Sequence, residues 1–175
     1  MPVGDMGYQI RCPEQGRALA EAQAFIADLE QGQTRWLSLL GPSGRGKTHL
    51  ARGIEAWRKS KSPGKFFYKW LDLLQTFRSD RGEISRFMAR CNGARLMIID
   101  DIGAGYETEF AASVIAEIAE RRLGKATVLT ANLNLEQVAG IDSRIASRML
   151  RGGNEIFTFQ STPDFGLGND PEQRP

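Results

Sequence analysis

The sequence predicts an α/β fold, a parallel sheet with helices on both faces. Three observations carry this. Short apolar runs alternate with amphipathic helical patterns along most of the chain, the order that builds βαβ units. The run "RLMIID" (Arg95 to Asp100) is apolar on both faces, as strands covered from two sides are. "GPSGRGKT" stands directly between an apolar run and a helical pattern, the context a phosphate-binding loop requires. Crossovers in such a sheet are right-handed.

Residues 1–12 show no period and predict a flexible arm. From Pro13, Leu19, Ala22, Ile26 and Leu29 recur at helical spacing until "QGQT" interrupts them. "RWLSLL" is a buried strand, and "THLARGIEAWRK" a helix closed by "SKSPG". "KFFYKW" (Lys65 to Trp70) is an aromatic-rich strand. "LDLLQTFRS" and Ile84 to Cys91 read as two helices before the "RLMIID" strand. "ETEFAASVIAEIAERR" is a strong helix, "ATVLTAN" a strand and "LEQVA" a helical turn. "IDSRIASRML" is a further helix and "NEIFTFQ" the last strand. One domain, 13–165, is expected, followed by a disordered tail at 166–175, rich in Gly, Pro and charge.

Composition removes several classes. The 175 residues are 41% hydrophobic and 25% charged with a net charge of +2, so any nucleic-acid contact needs a local basic patch. Two distant cysteines and one histidine do not make a zinc site. No signal peptide or membrane span is visible, and a reducing cytoplasm is the expected location.

"GPSGRGKT" matches G-x-x-x-x-G-K-[ST] at Gly41, Gly46, Lys47 and Thr48. The backbone of Gly41, Pro42, Ser43, Gly44, Arg45 and Gly46, running into Lys47, Thr48 and His49, is the candidate cradle for ATP. Lys47 reaches the β- and γ-phosphates, and Thr48 offers its hydroxyl to Mg²⁺. Asp100 and Asp101 end an apolar strand, at the sheet edge where ligands bind. Asp100 is the candidate second holder of Mg²⁺. Asp101, expected to point the other way along the strand, is the candidate to orient or deprotonate the attacking water. A strand, "KFFYKW", separates the two motif strands. That order departs from nucleotide kinases and suits ATPases with an acidic residue beside the metal-binding one.

Asn132, with Thr130 as second choice, ends the "ATVLTAN" strand, where a polar tip can meet the γ-phosphate or the lytic water. An Asn there can equally cap the next helix. Arg144 and Arg148 lie one turn apart, either as a solvated face or as bidentate phosphate ligands. Lys61, Lys65 and Lys69 alternate with aromatics in "KSKSPGKFFYKW", a composition that can track phosphates and stack bases or simply bury its aromatics. Arg78 and Arg81 are similar candidates for DNA.

"LLGPSGRGKTHLA", "LMIIDDIG", "TVLTANLNLEQV" and "DSRIASRML" resemble, in order and nearly in wording, the AAA+ ATPases of the DnaC/DnaI helicase-loader group, which includes the IstB transposition helpers. The resemblance covers Trp36 to Phe159. It implies sheet order 5-1-4-3-2, ATP and Mg²⁺ as cofactors, and homo-oligomers assembled through the ATP interface; the chain is expected to depart from the wider pattern in having no C-terminal helical lid, a reduction the loaders largely share. It implies single-stranded DNA and a replicative helicase or transposase as partners. Arg148 then matches an arginine finger serving a neighbouring subunit, with Arg144 supporting it. The expected function is ATP hydrolysis in helicase loading, or as an accessory to transposition or phage replication. The short stretch before the phosphate loop motivates a second reading, a nucleotide-gated oligomeric adaptor with little turnover.

Overall fold

The computed structural model describes residues 8–104 and 108–160; the tail at 166–175 and the first seven residues of the expected arm lie outside them. The elements in chain order are α1 (Pro13–Glu30), β1 (Trp36–Leu40), α2 (Lys47–Lys61), β2 (Phe67–Lys69), α3 (Trp70–Ser79), α4 (Arg81–Gly93), β3 (Leu96–Ile102), α5 (Glu109–Arg121), β4 (Ala126–Ala131), α6 (Leu135–Ile141), α7 (Ser143–Met149) and β5 (Glu155–Thr158). The sheet runs β2-β3-β4-β1-β5 with every pairing parallel. That is the 5-1-4-3-2 order of AAA+ proteins, read from the other edge.

Alternation along the central strands divides the core into two layers. Leu37, Leu39, Ile98 and Val128 face α1 and α2, where Ala18, Ala22, Phe25, Ile26, Leu50 and Ile54 meet them. Leu40, Met97, Ile99 and Leu129 face the other helices, packing on Trp70, Leu74, Phe77, Phe87, Ile115 and Ile118. Each aliphatic side chain fully withdrawn from water contributes about 1.5–3 kcal/mol. The helical starts carry local signals: Pro13 stands in the first turn of α1, where its missing N–H is tolerated. Thr108 caps α5, and Asn134 with Gln137 forms a capping box on α6.

The strand expected over Lys65 to Trp70 is shorter, because Trp70 already begins α3. Its aromatics are structural. Phe67, Tyr68 and Trp70 are buried, and the Arg58 guanidinium covers the Phe66 ring at 5.0 Å. Core packing therefore takes the rings of Phe67, Tyr68 and Trp70, the second of the two readings the sequence left open for this run. Nor does the arm hang free at Tyr8. Its hydroxyl donates to the Arg45 carbonyl at 3.4 Å and its ring meets His49 edge-on at 5.5 Å. Burial pushes the Tyr8 phenol up to about 12.

Arg122, just beyond α5, is fully buried with no carboxylate beside it among the described residues. Its Nη1 donates to the carbonyls of Cys91 (2.9 Å) and Ala94 (2.5 Å), its Nε to Thr127 Oγ1 (3.1 Å), and its Nη2 to the Ala126 carbonyl. One guanidinium thus ties the end of α4 to the start of β4. Burial pulls it down to about 10. Arg122→Met leaves those carbonyls without their donors. We expect a loss of about 3 kcal/mol, or roughly 6–12 °C in Tm, read by thermal unfolding. A variant that melts with the wild type would show that the tie is dispensable.

Candidate functional site

The C-terminal edge of the sheet opens on a cleft of about 510 Å³ lined by Ser43 to His49, Lys69 to Asp72, Asp100, Asp101, Thr130 and Asn132. The phosphate loop wraps one wall. Gly41 has φ 120°, and a Cβ there would lie 2.4 Å from the Phe159 carbonyl oxygen. Only glycine permits the loop to leave β1 against that backbone. Gly46 has φ 93°, and a Cβ on it would strike the Tyr8 hydroxyl at 2.6 Å. The Lys47 ammonium is buried and donates to the carbonyls of Gly41 (2.7 Å) and Pro42 (2.5 Å). It is held in the loop that would receive the phosphates.

The opposite wall is a chain of hydrogen bonds. Thr48 Oγ1 donates to Asp100 Oδ1 at 2.8 Å, and Thr130 Oγ1 donates to the same oxygen at 2.7 Å. Thr130 Oγ1 in turn accepts from the Asp101 N–H at 2.8 Å. Asp101 Oδ1 accepts from Asn132 Nδ2 at 2.6 Å. Thr48 belongs to α2, the acidic pair to β3, and Thr130 to β4, while Asn132 follows β4. Sheet order explains the meeting, because β3 and β4 are neighbours.

Strict alternation would send Asp101 away from this cleft. The structure differs because β3 bulges there. Ile99 pairs with Leu129 and Ile102 with Ala131, so Asp100 and Asp101 together oppose Thr130. Asp101 takes φ 61°, a left-handed conformation that Asp tolerates better than most residues. The bulge turns both carboxyl groups toward one cavity. Burial, then the Asp100 charge, raises the Asp101 carboxyl above its ordinary value, with Lys47 opposing.

Thr48 Oγ1 and Asp100 Oδ1 are hard oxygen donors of the kind Mg²⁺ takes. Two protein donors suffice, because the ion keeps waters and phosphate oxygens as its other ligands. No cluster of three or more His, Cys, Asp or Glu suited to a metal occurs among the described residues.

Asn132 is not a helix cap; Asn134 fills that role. Thr130, the second choice for meeting phosphate or water, is buried and braces the acidic pair instead. Neither Arg144 nor Arg148 lines its own chain's cleft. Arg144 pairs with Asp142 at 2.6 Å and its side chain is 64% exposed. The Arg148 side chain is only 21% exposed, pairs with Glu120 on α5, and donates to the Arg144 carbonyl at 3.0 Å. A solvated face therefore describes Arg144 better than Arg148.

The five basic residues expected at DNA do not share one surface. Lys69 lines the nucleotide cleft. Lys65 lies over the Tyr68 ring at 5.0 Å. Arg78 and Arg81 border a separate pocket with Phe77, Ile84 and Phe110. Lys61 stands 3.7 Å from Glu30 beside a groove at the opposite end of the sheet. Their separation follows from topology, since β2 and α3 carry the chain from Lys61 to Arg81.

The IstB-like ATP binding protein family matches residues 15–151. The replicative helicase loader DnaC of Escherichia coli (strain K12) is 25% identical over 159 residues, 87% of this chain and 64% of that protein. The insertion sequence IS232 ATP-binding protein of Bacillus thuringiensis subsp. berliner is 32% identical over 127 residues, 70% of this chain and 50% of that protein. The chain thus spans between half and two thirds of these relatives. A crystal structure of the DnaC helicase loader superposes with TM-score 0.73 at 23% identity, covering 88% of this chain and 94% of that one. No helix among the described residues is long and apolar enough to cross a membrane.

Proposed function

The chain belongs to the IstB-like ATP-binding protein family, and we propose that it hydrolyses ATP to ADP and phosphate at a subunit interface while acting on DNA. The reading assigns it to helicase loading in replication, or to accessory work in transposition or phage replication, in the cytoplasm. The observation that carries it is the hydrogen-bonded chain Thr48–Asp100–Thr130–Asp101–Asn132 facing the phosphate-loop lysine. A nucleotide store would need the loop and the metal-side carboxylate. A second, raised carboxylate held by an amide is what water activation needs.

In this mechanism the loop N–H groups of residues 43–48 receive the phosphates, and the Lys47 ammonium leaves its two carbonyls to meet the β- and γ-oxygens. Thr48 and Asp100 would hold Mg²⁺, which supplies charge neutralisation across the phosphates when bound. Asn132 fixes one Asp101 oxygen and leaves the other to accept a proton from water. That water attacks the γ-phosphorus, the bond to the β-phosphate oxygen breaks, and ADP departs with that electron pair. Arg148 of a neighbouring subunit, aided by Arg144, steadies the transferring charge.

Single-stranded DNA is the partner this reading supplies to the ATPase, with a replicative helicase or transposase beyond it. The test is steady-state hydrolysis with oligo(dT) titrated in, wild type beside Lys47→Ala. We expect stimulation by DNA and a loss of about 10²–10³-fold in the variant. A rate indifferent to DNA at every salt concentration would remove the DNA role. Assembly on ATP without turnover would replace the enzyme by the adaptor.

A further inference from the structure

The N-terminal edge of the sheet holds a second groove of about 510 Å³. Trp57, Arg58 and Lys61 enter it from the last turns of α2, Arg95 from just before β3, Lys125 from just before β4, and Glu30 from the end of α1. Four cations therefore surround one carboxylate, a local excess of three charges in a chain whose net charge is +2. Glu30 is already engaged. It accepts from Trp57 Nε1 at 3.3 Å and stands 3.7 Å from the Lys61 ammonium. Arg58, Arg95 and Lys125 form no ion pair among the described residues, although Lys125 donates to the Arg121 carbonyl at 2.9 Å.

Arg58 and Lys61 complement the negative end of α2, which is reason enough for cations there. That account also covers Lys125, whose ammonium donates to the last carbonyl of α5, but it does not cover Arg95, which comes from another segment and meets the others in the same groove. Nor does it explain the tryptophan. Trp36 and Trp70 are 2% and 0% exposed, whereas Trp57 packs only partly against the core and lines the groove.

We propose that this groove binds single-stranded nucleic acid, with a base stacked on Trp57 and phosphates held by Arg58, Arg95 and Lys125. An indole flanked by cations matches a strand that alternates flat bases with charge. An acidic protein segment would satisfy the cations and leave the ring face without a partner. The inference rests on the DNA reading above and places the strand at the far end of the sheet from the nucleotide cleft. Lys61 joins it, while Lys65, Lys69, Arg78 and Arg81 lie elsewhere.

The experiment is oligo(dT) binding to the full chain, followed by anisotropy of a labelled strand and by intrinsic tryptophan fluorescence. With two tryptophans in the core, quenching by a stacked base reports on Trp57. We expect oligo(dT) to quench the wild type, Trp57→Phe to abolish the quench, and Trp57→Ala to weaken binding roughly tenfold. Arg95→Ala with Lys125→Ala should flatten the slope of log affinity against log salt by about 1.4. Unchanged binding of a labelled ATP analogue shows each variant folded.

Binding without quenching and without sensitivity to these variants overturns the groove and leaves the DNA reading intact. No binding by wild type at low salt overturns both. Quenching by poly-glutamate but not by oligo(dT), lost in the same variants, would assign the groove to an acidic protein instead and overturn the proposal.

Discussion

Arg148→Ala is expected to lower ATP turnover in the assembled protein by about 10³–10⁵-fold with little change in nucleotide affinity. The side chain lies outside its own cleft, so the loss must appear in a neighbour's site. Two features separate this from a folding defect. Wild-type specific activity should rise with protein concentration, whereas the variant's should stay flat. Mixing Arg148→Ala with Lys47→Ala subunits should restore part of the rate, because one supplies an intact loop and the other an intact arginine. In the free subunit the guanidinium is paired with Glu120, which is 60% exposed. Such a pair is worth only about 0–1 kcal/mol, a weak hold that a γ-phosphate readily displaces. Activity indifferent to both Arg148 and concentration would reduce the residue to its bond with Glu120.

Asp101→Asn should cost about 10²–10⁴-fold in kcat while ATP binding persists. Its carboxyl is raised by burial and by Asp100, which fixes two signs. As a base it works when deprotonated, so wild-type kcat should fall, as pH drops, through a midpoint above the ordinary Asp value of 3.8. A carboxyl raised by folding stabilises the fold only in its protonated range, and that contribution is lost as pH rises. At neutral pH, Asp101→Asn should therefore melt no earlier than wild type, and Asn accepts the left-handed backbone. A pH–rate profile and a melting curve check both. An unchanged acid limb in the variant would transfer the base role to another group.

Much of this was legible in the residues. The strand–loop–helix context of "GPSGRGKT", the apolar "LMII" run and the strand-tip polar residues placed the cleft, because each depends on local pattern. What escaped depends on contacts between distant segments. The bulge at Asp101 has no local mark; it shows only when β3 is laid against β4. Thr130 reads as a second candidate for phosphate or water, and its part in bracing the acidic pair shows only when its hydroxyl is found between two carboxyl-bearing neighbours. Arg122 sits in "ERRLGK", where two arginines read as a solvated helix end. Nothing short of the fold shows that one of them is buried under three carbonyls. The basic run around "KFFYKW" left two readings open, since composition does not show which ring faces are already covered.

The close approach of Phe159 to Gly41 has a mechanical consequence. Among the described residues the edge strand β5 pairs with β1 alone, and Phe159, just past it, donates its N–H to the Leu40 carbonyl at 2.9 Å. Its own carbonyl rests where a side chain on the first loop glycine would be. An edge held on one side is the natural place for a sheet to fray. Fraying here would release the backstop of the phosphate loop together with the strand. A phosphate that holds the loop in this place would by linkage also hold the edge, and a pull on the edge would weaken the phosphate's hold.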